Sequence, residues 1–283
     1  MDAMASEGNT RSDTVPAVNE QSIDVATALG TYLEVVDATA PGLVEGLYVV
    51  GSYALGDWVP DTSDIDVVVV TAEPATDDDY GTLRTVHALL AEQQPLPHID
   101  GPYLAWGDMW VEPATGLHRP WTLDGQLHHD GDCFEINPIT WYTLATYGVT
   151  VRGAAASTLG IPTDMEARVR FVVENLKTYW TDLALDVGAV CEREPGRAFA
   201  GESFVWSALG ALRLHFTAFT GGVTSKRGAG EYGLQVAPER FHPAIEAALH
   251  VRANGEHGEV PGELMADAAA LIQWVIDDTA AAS

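Results

Sequence analysis

From residue 22 to 38 the apolar side chains Val25, Leu29, Tyr32, Leu33 and Val36 recur every three or four positions. That spacing lines one face of a helix. Ala40-Pro41-Gly42 ends it. The period then shortens. Leu47-Tyr48-Val49-Val50 reads as a strand running into Gly51, and residues 53–62, with Gly56, Pro60 and Asp61, read as a turn. Ile65 to Val70 is a second strand, whose unbroken β-branched run predicts burial on both faces. Pro74 to Asp79 reads as a loop. Leu83, Val86, Leu89 and Leu90 mark a helix that stops before Pro95, and His98 to Leu104 is a third strand. Residues 105–132 are rich in Gly, Trp, Pro and His and are expected to be irregular or a twisted hairpin. Phe134-Glu135-Ile136, a helix from Pro138 to Tyr147 and a short strand Val149–Val151 close this half.

Beyond it the period is helical throughout. Thr163-Asp164-Met165-Glu166 reads as a capping box. It opens a helix whose inner side carries Val169, Val172, Val173, Leu176, Tyr179, Trp180 and Leu183. A softer stretch, Gly188 to Gly201, precedes a strong helix from Phe204 to Phe219, closed by Gly221-Gly222. A weaker helix near Arg227–Gly233, another from Pro238 to Arg252 and a last one through Leu264, Ala268, Leu271, Ile272 and Val275 follow. The expected fold is an α/β N-terminal domain, a mixed sheet flanked by helices, over residues 21–157, then an all-α helical bundle over residues 158–283. Residues 1–20 are polar and acidic and read as a disordered leader.

Composition narrows the partners. The 283 residues carry a net charge of −27, and the only lysines are Lys177 and Lys226. So acidic a surface repels nucleic acid and anionic membrane. It suits a small cationic partner, although a plain solvated surface is the commoner meaning of such a charge. No stretch is long and apolar enough to span a membrane, and the N-terminus lacks the basic start and apolar run of a signal peptide. A cytoplasmic monomer is the expectation. Cys133 and Cys191 have no CxxC spacing and read as structural thiols.

The chemistry lies between residues 51 and 66. Asp64 and Asp66 alternate with Ile65, so both carboxylates project from one face of the strand. Two like charges there call for a hard divalent cation, and Mg²⁺ takes oxygen ligands. Gly51-Ser52 follows a strand: glycine lets the backbone approach a phosphate, and serine offers a hydroxyl and a cap. A triphosphate held between these amides and the metal is placed for nucleotidyl transfer.

Gly51-Ser52, Ser63, Asp64 and Asp66 together resemble the signature of the DNA polymerase beta nucleotidyltransferase superfamily, Gly-Ser followed at about ten residues by Asp-x-Asp on a strand. A third carboxylate on a neighbouring strand is then expected. Asp100 is well placed, with Asp108 and Glu112 behind it. Residues 43–70, Glu135 to Gly153 and Val205 to Val251 also resemble bacterial streptomycin/spectinomycin adenylyltransferases, the last through Leu212-Arg213-Leu214-His215-Phe216, Thr220-Gly221, Ser225-Lys226 and Pro243 to Ala248.

That resemblance implies two Mg²⁺ ions, ATP as substrate and a drug hydroxyl as acceptor. Asp64, Asp66 and Asp100 would ligate metal. Asp100 would also stand where the family has a glutamate acting as base, one methylene shorter. Arg213 and Lys226 would contact ATP and its phosphates; a buried ion pair and a solvated lysine are the alternatives. Glu202 falls at the family's Gly-acid step and would bind the drug. The tryptophan and aspartate that help hold streptomycin have no clear counterparts within Val187–Ala200. Transfer to another small-molecule or protein hydroxyl, and a decayed nucleotide-binding regulator, are the competing readings.

Overall fold

The fold was obtained as a computed structural model, which describes residues 24–94, 96–113, 117–129 and 131–282. The expected leader lies outside the described residues.

Helix α1 (Val25–Thr39) opens on Asp24, whose carboxylate caps the Thr27 amide at 2.8 Å. It buries Val25, Ala28, Leu29, Tyr32, Val35 and Val36, the stripe expected from the sequence. Strand β1 (Gly46–Val49) runs into a single helical turn, α2 (Gly51–Ala54). Strand β2 (Ile65–Thr71) is buried along its length except at Asp66. Helix α3 (Asp77–Gln93) begins inside the segment expected to be loop. Thr76 and Asp79 form a reciprocal capping box there, so three aspartates in the first turn meet the favourable end of the helix dipole.

Strand β3 (Ile99–Ala105) lies parallel to β2. A short helix α4 (Trp106–Met109) and a hairpin of β4 (Trp121–Leu123) and β5 (Gln126–His128) follow. Asp124 and Gly125 turn the hairpin with positive φ at both positions, as a two-residue type I′ loop requires. Helix α5 (Pro138–Tyr147) is capped by Asn137, and β6 (Val149–Arg152) ends this half. The sheet order is β5-β4-β3-β2-β1-β6, with β2 and β3 parallel and all other pairs antiparallel. One apolar layer lies between the sheet and helices α1 and α3; the other includes Trp141 and Leu144 of α5.

The remaining chain is mostly helical: α6 (Met165–Asn175), α7 (Thr181–Arg193), α8 (Gly201–Val205), α9 (Ala211–Thr220), α10 (Lys226–Val236), α11 (His242–Ala253) and α12 (Gly262–Ala282). Two three-residue strands, β7 (Ala198–Ala200) and β8 (Glu259–Pro261), pair at its edge. Its core is a separate cluster from Leu176 to Val275.

Several local expectations shift. The cap of α6 is Asp164, not Thr163, because the aspartate carboxylate reaches the Glu166 amide at 2.8 Å. Helix α7 runs through Gly188 to Arg193, into the stretch expected to be soft. Leu176–Trp180 and Trp206–Gly210 are π-helical turns, each bridging two α segments. The first carries the buried row through Leu176, Trp180, Ala184 and Val187 and leaves Tyr179, expected inside, exposed. Trp180 stacks on Trp206, so the two π turns face each other.

Candidate active site

Strand register assembles the carboxylates. Asp66 on β2 lies directly opposite Asp100 on β3, beside the core pair Ile65 and Ile99. Side chains two apart share a face, so Asp64, Asp66 and Asp100 project together. Asp100 is almost fully buried, and its two oxygens accept from the amides of Asp124 (2.8 Å) and Gly125 (3.0 Å). The β4–β5 turn thus fixes its orientation. The other candidates for the third acid are elsewhere: Asp108 is a bidentate partner of Arg119 at 2.8 and 2.7 Å, and Glu112 is exposed.

Gly51 closes the other side. Its φ is +56°, and a Cβ there would sit 1.8 Å from Asp66 Oδ2. The amide of Ser52 instead donates to that oxygen at 3.3 Å. The Ser52 hydroxyl is buried and has no hydrogen-bond partner among the described residues. An orphaned donor beside a carboxylate cluster fits a ligand that brings its own acceptors, such as a phosphate.

Burial dominates the electrostatics. It raises the Asp64 carboxyl to about 6, with help from Asp100. It raises Asp66, against the Ser52 amide and Arg213, which favour the anion. Asp100 is raised by burial too, against its two amide donors. Carboxylates gathered on one face need a proton or a metal cation to offset their repulsion, and the all-oxygen cluster fits a divalent metal.

Two groups join this cluster that the sequence reading did not assign. Burial, then the charges of Asp66, Asp100 and Asp64, push the Glu135 carboxyl well above its ordinary range. Its carboxylate accepts no hydrogen bond among the described residues. Gly101 leaves the space that Glu135 uses, since a Cβ there would lie 3.3 Å from Glu135 Oε2 and 1.8 Å from the Val67 carbonyl oxygen. Glu135 opens a stretch that resembles the adenylyltransferases, but it sits in a turn before α5, where no periodicity ties it to the carboxylates. The second group is His98, whose Nδ1 is 3.6 Å from Asp64 Oδ1. It stands two residues before Asp100, so the same-face rule that selected Asp64 with Asp66 could have found it.

The helical half supplies cations. Arg213 on α9 is half-buried; desolvation lowers its pKa while Asp66 and Asp57 act to raise it. Lys226, the first residue of α10, is not a solvated lysine. Its ammonium lies 3.3 and 3.4 Å from the two carboxylate oxygens of Glu256, and burial lowers its pKa. Glu202, in the first turn of α8, is exposed. Among the described residues no hydrogen bond or ion pair joins it to the carboxylates.

A buried network ties the two halves at the loop linking Gly51-Ser52 to Asp64. Arg252 of α11 donates to the Asp57 carbonyl oxygen at 2.7 Å and to Ser63 Oγ at 3.3 Å, and pairs with Glu256. Asp57 in turn accepts from the Arg227 amide at 3.1 Å, in the first turn of α10. Thr62 donates to the Gly255 carbonyl oxygen at 2.8 Å. Arg252, Glu256, Asp57 and Ser63 are all buried. Among the described residues no helix is long and apolar enough to cross a membrane.

Residues 31–100 match the nucleotidyltransferase domain family, a span that runs from α1 to Asp100 and includes Gly51, Ser52, Asp64 and Asp66. No curated protein sequence matches the chain. Among solved structures the fold is similar to that of the spectinomycin adenyltransferase AAD(9) from Enterococcus faecialis, determined with ATP and spectinomycin. The two share 14% identity at a TM-score of 0.63, over 91% of this chain and 100% of that one. The family match therefore falls on the segment that carries Gly51, Ser52, Asp64 and Asp66, in a fold similar to that of an adenyltransferase.

Proposed function

We propose that the chain transfers AMP from ATP to a hydroxyl of an aminoglycoside-type antibiotic, of the streptomycin or spectinomycin class, and releases pyrophosphate. The observation that carries this is the register pair of Asp66 and Asp100, which sets three carboxylates on one face beside the buried, unpartnered Ser52 hydroxyl. Asp64, Asp66 and Asp100 would hold two Mg²⁺ ions. Bound there, the metal would polarise the α-phosphate and hold the leaving pyrophosphate.

The chain's own groups do the rest. Ser52 and the Gly51 turn receive phosphate oxygens through the hydroxyl and backbone. Arg213 and Lys226 approach from the helical half and neutralise phosphate charge; Lys226 exchanges one oxyanion partner, Glu256, for another. Asp100 accepts the proton of the attacking hydroxyl. Glu135 is the second candidate for that step, favoured by its free carboxylate and raised pKa. The α/β domain (21–157) and helical domain (158–283) would close over ATP, with Glu202 meeting a cationic acceptor from α8.

The test is a turnover assay with ATP, Mg²⁺ and a panel of aminoglycosides, reading pyrophosphate and adenylylated product by mass. Turnover with a drug supports the reading. Turnover only with other small-molecule or protein hydroxyls keeps the reaction and replaces the acceptor. ATP binding without turnover on any acceptor replaces the enzyme by a regulator.

A further inference from the structure

We propose that His98 is a ligand of the divalent cation held by Asp64 and Asp100, giving this site a nitrogen donor beside its carboxylates. The inference rests on the metal-dependent reading above and deepens it by assigning the metal's coordination and preference.

The placement follows from the sheet. The Ile65 amide donates to the His98 carbonyl oxygen at 2.9 Å, which pins residue 98 to the edge of β2. Ile65 and Ile99 are register partners whose side chains enter the core. The residues just before them, Asp64 and His98, therefore fall on the opposite face, as Asp66 and Asp100 do one step on. The result is a two-by-two array of donors on adjacent strands.

Distances match a shared ion. One donor atom each from Asp64, His98 and Asp100 lie within 4.8 Å of one another. Ligands of one ion with bonds of about 2.1 Å stand about 3 Å apart when adjacent and about 4.2 Å apart when opposite. The His98 Nδ1 to Asp64 Oδ1 separation of 3.6 Å lies in that range and is too long for a hydrogen bond. The imidazole makes no other hydrogen bond among the described residues, and its Cδ2 edge lies against Gly125, in the same turn whose amides orient Asp100. One turn thus positions both the ring and the carboxylate.

An imidazole changes which cation is favoured. Mg²⁺ prefers an all-oxygen shell, whereas later first-row ions accept nitrogen readily. The expected consequence is a site that takes Mn²⁺ over Mg²⁺ by a margin that depends on His98.

The experiment uses the full chain with Mn²⁺ alone, without nucleotide, and reads the bound ion by pulsed electron paramagnetic resonance. Wild-type protein should show modulation from a directly coordinated ¹⁴N. Replacing its histidines with ¹⁵N-histidine should convert that pattern to ¹⁵N, a check that needs no variant. His98→Gln, with its fold verified by circular dichroism, should keep bound Mn²⁺, lose the nitrogen signal and lower the Mn²⁺ to Mg²⁺ affinity ratio about tenfold. Bound Mn²⁺ with no coordinated nitrogen in the wild type overturns the proposal and leaves the carboxylate metal site standing. A nitrogen signal that survives in His98→Gln also overturns it. Absence of Mn²⁺ binding altogether overturns both this inference and the metal-dependent reading beneath it.

Discussion

The carboxylate of Asp66 occupies the space that a side chain on Gly51 would need, with Oδ2 1.8 Å from the position of that Cβ. The glycine at the end of β1 and the aspartate on β2 are therefore one unit. Gly51→Ala should displace Asp66 or the Ser52 amide by an ångström or more, and it also strains a backbone at φ +56°. Turnover should fall about 100-fold, the scale of a small misplacement at a reacting centre. Circular dichroism should still report a folded chain.

Burial, with the neighbouring acids, gives a pH signature without metal. The Asp64 carboxyl is raised from 3.8 to about 6 in the folded state. A raised carboxyl binds its proton more tightly when folded, so its stabilising effect is complete below its unfolded pKa. That effect disappears as pH rises through about 6. Asp37 and Asp79, lowered by their hydrogen bonds to Arg152 and Thr76, act in the opposite sense at lower pH. Thermal melts of wild type and Asp64→Asn isolate the site. Without divalent metal, the wild type should lose stability relative to the variant between about pH 4 and about pH 6. Adding Mg²⁺ at pH 7 should restore it in the wild type only.

The proton acceptor is resolved by two isosteric variants. If Asp100 takes the proton, Asp100→Asn should lower kcat by about 10²–10⁴-fold while Glu135→Gln retains turnover within about tenfold. The reverse result transfers the role to Glu135. Asp66→Asn should abolish turnover and leave the fold intact, and near-normal activity in that variant would remove the metal assignment.

Arg252 ties the loop before Asp64 to the helical half. Arg252→Met removes a buried cation and leaves Glu256 with Lys226 alone, while the Asp57 carbonyl oxygen loses its donor. Breaking a buried pair in this way costs about 3–5 kcal/mol. Urea unfolding should show that loss, and the Michaelis constant for ATP should rise with it. Unchanged stability would show that the loop is held by Thr62 and Arg227 without Arg252.

The parts of this molecule readable from sequence are those set by local rules. Asp64 and Asp66 were legible because alternation on a strand is strict, and Gly51 because few residues tolerate its turn. Asp100 could be anticipated as a third acid on a neighbouring strand, although only the parallel register shows that it stands opposite Asp66. Glu135 was silent because its turn has no period and its neighbours in space come from β2 and β3. Arg252 stands in the sequence only as the end of an expected helix; Asp57 and Ser63, to which it donates, are nearly two hundred residues back along the chain. The start of α3 was missed because Thr76 and Asp79 were read as loop residues when they form its cap.

The π turn at Trp206–Gly210 has a consequence for aligning and engineering this chain. A wider turn absorbs an additional residue into a helix that otherwise continues on both sides. Each residue of an α-helix rotates the following side chains by about 100°. Deleting one residue from this turn to regularise the helix would swing Arg213 away from Asp66 while leaving the helix continuous. A gap-free alignment against a relative with a regular helix would make the same error on paper, pairing Arg213 with the wrong neighbour's counterpart. The direction of that cation is thus encoded about one to two turns upstream of the cation itself.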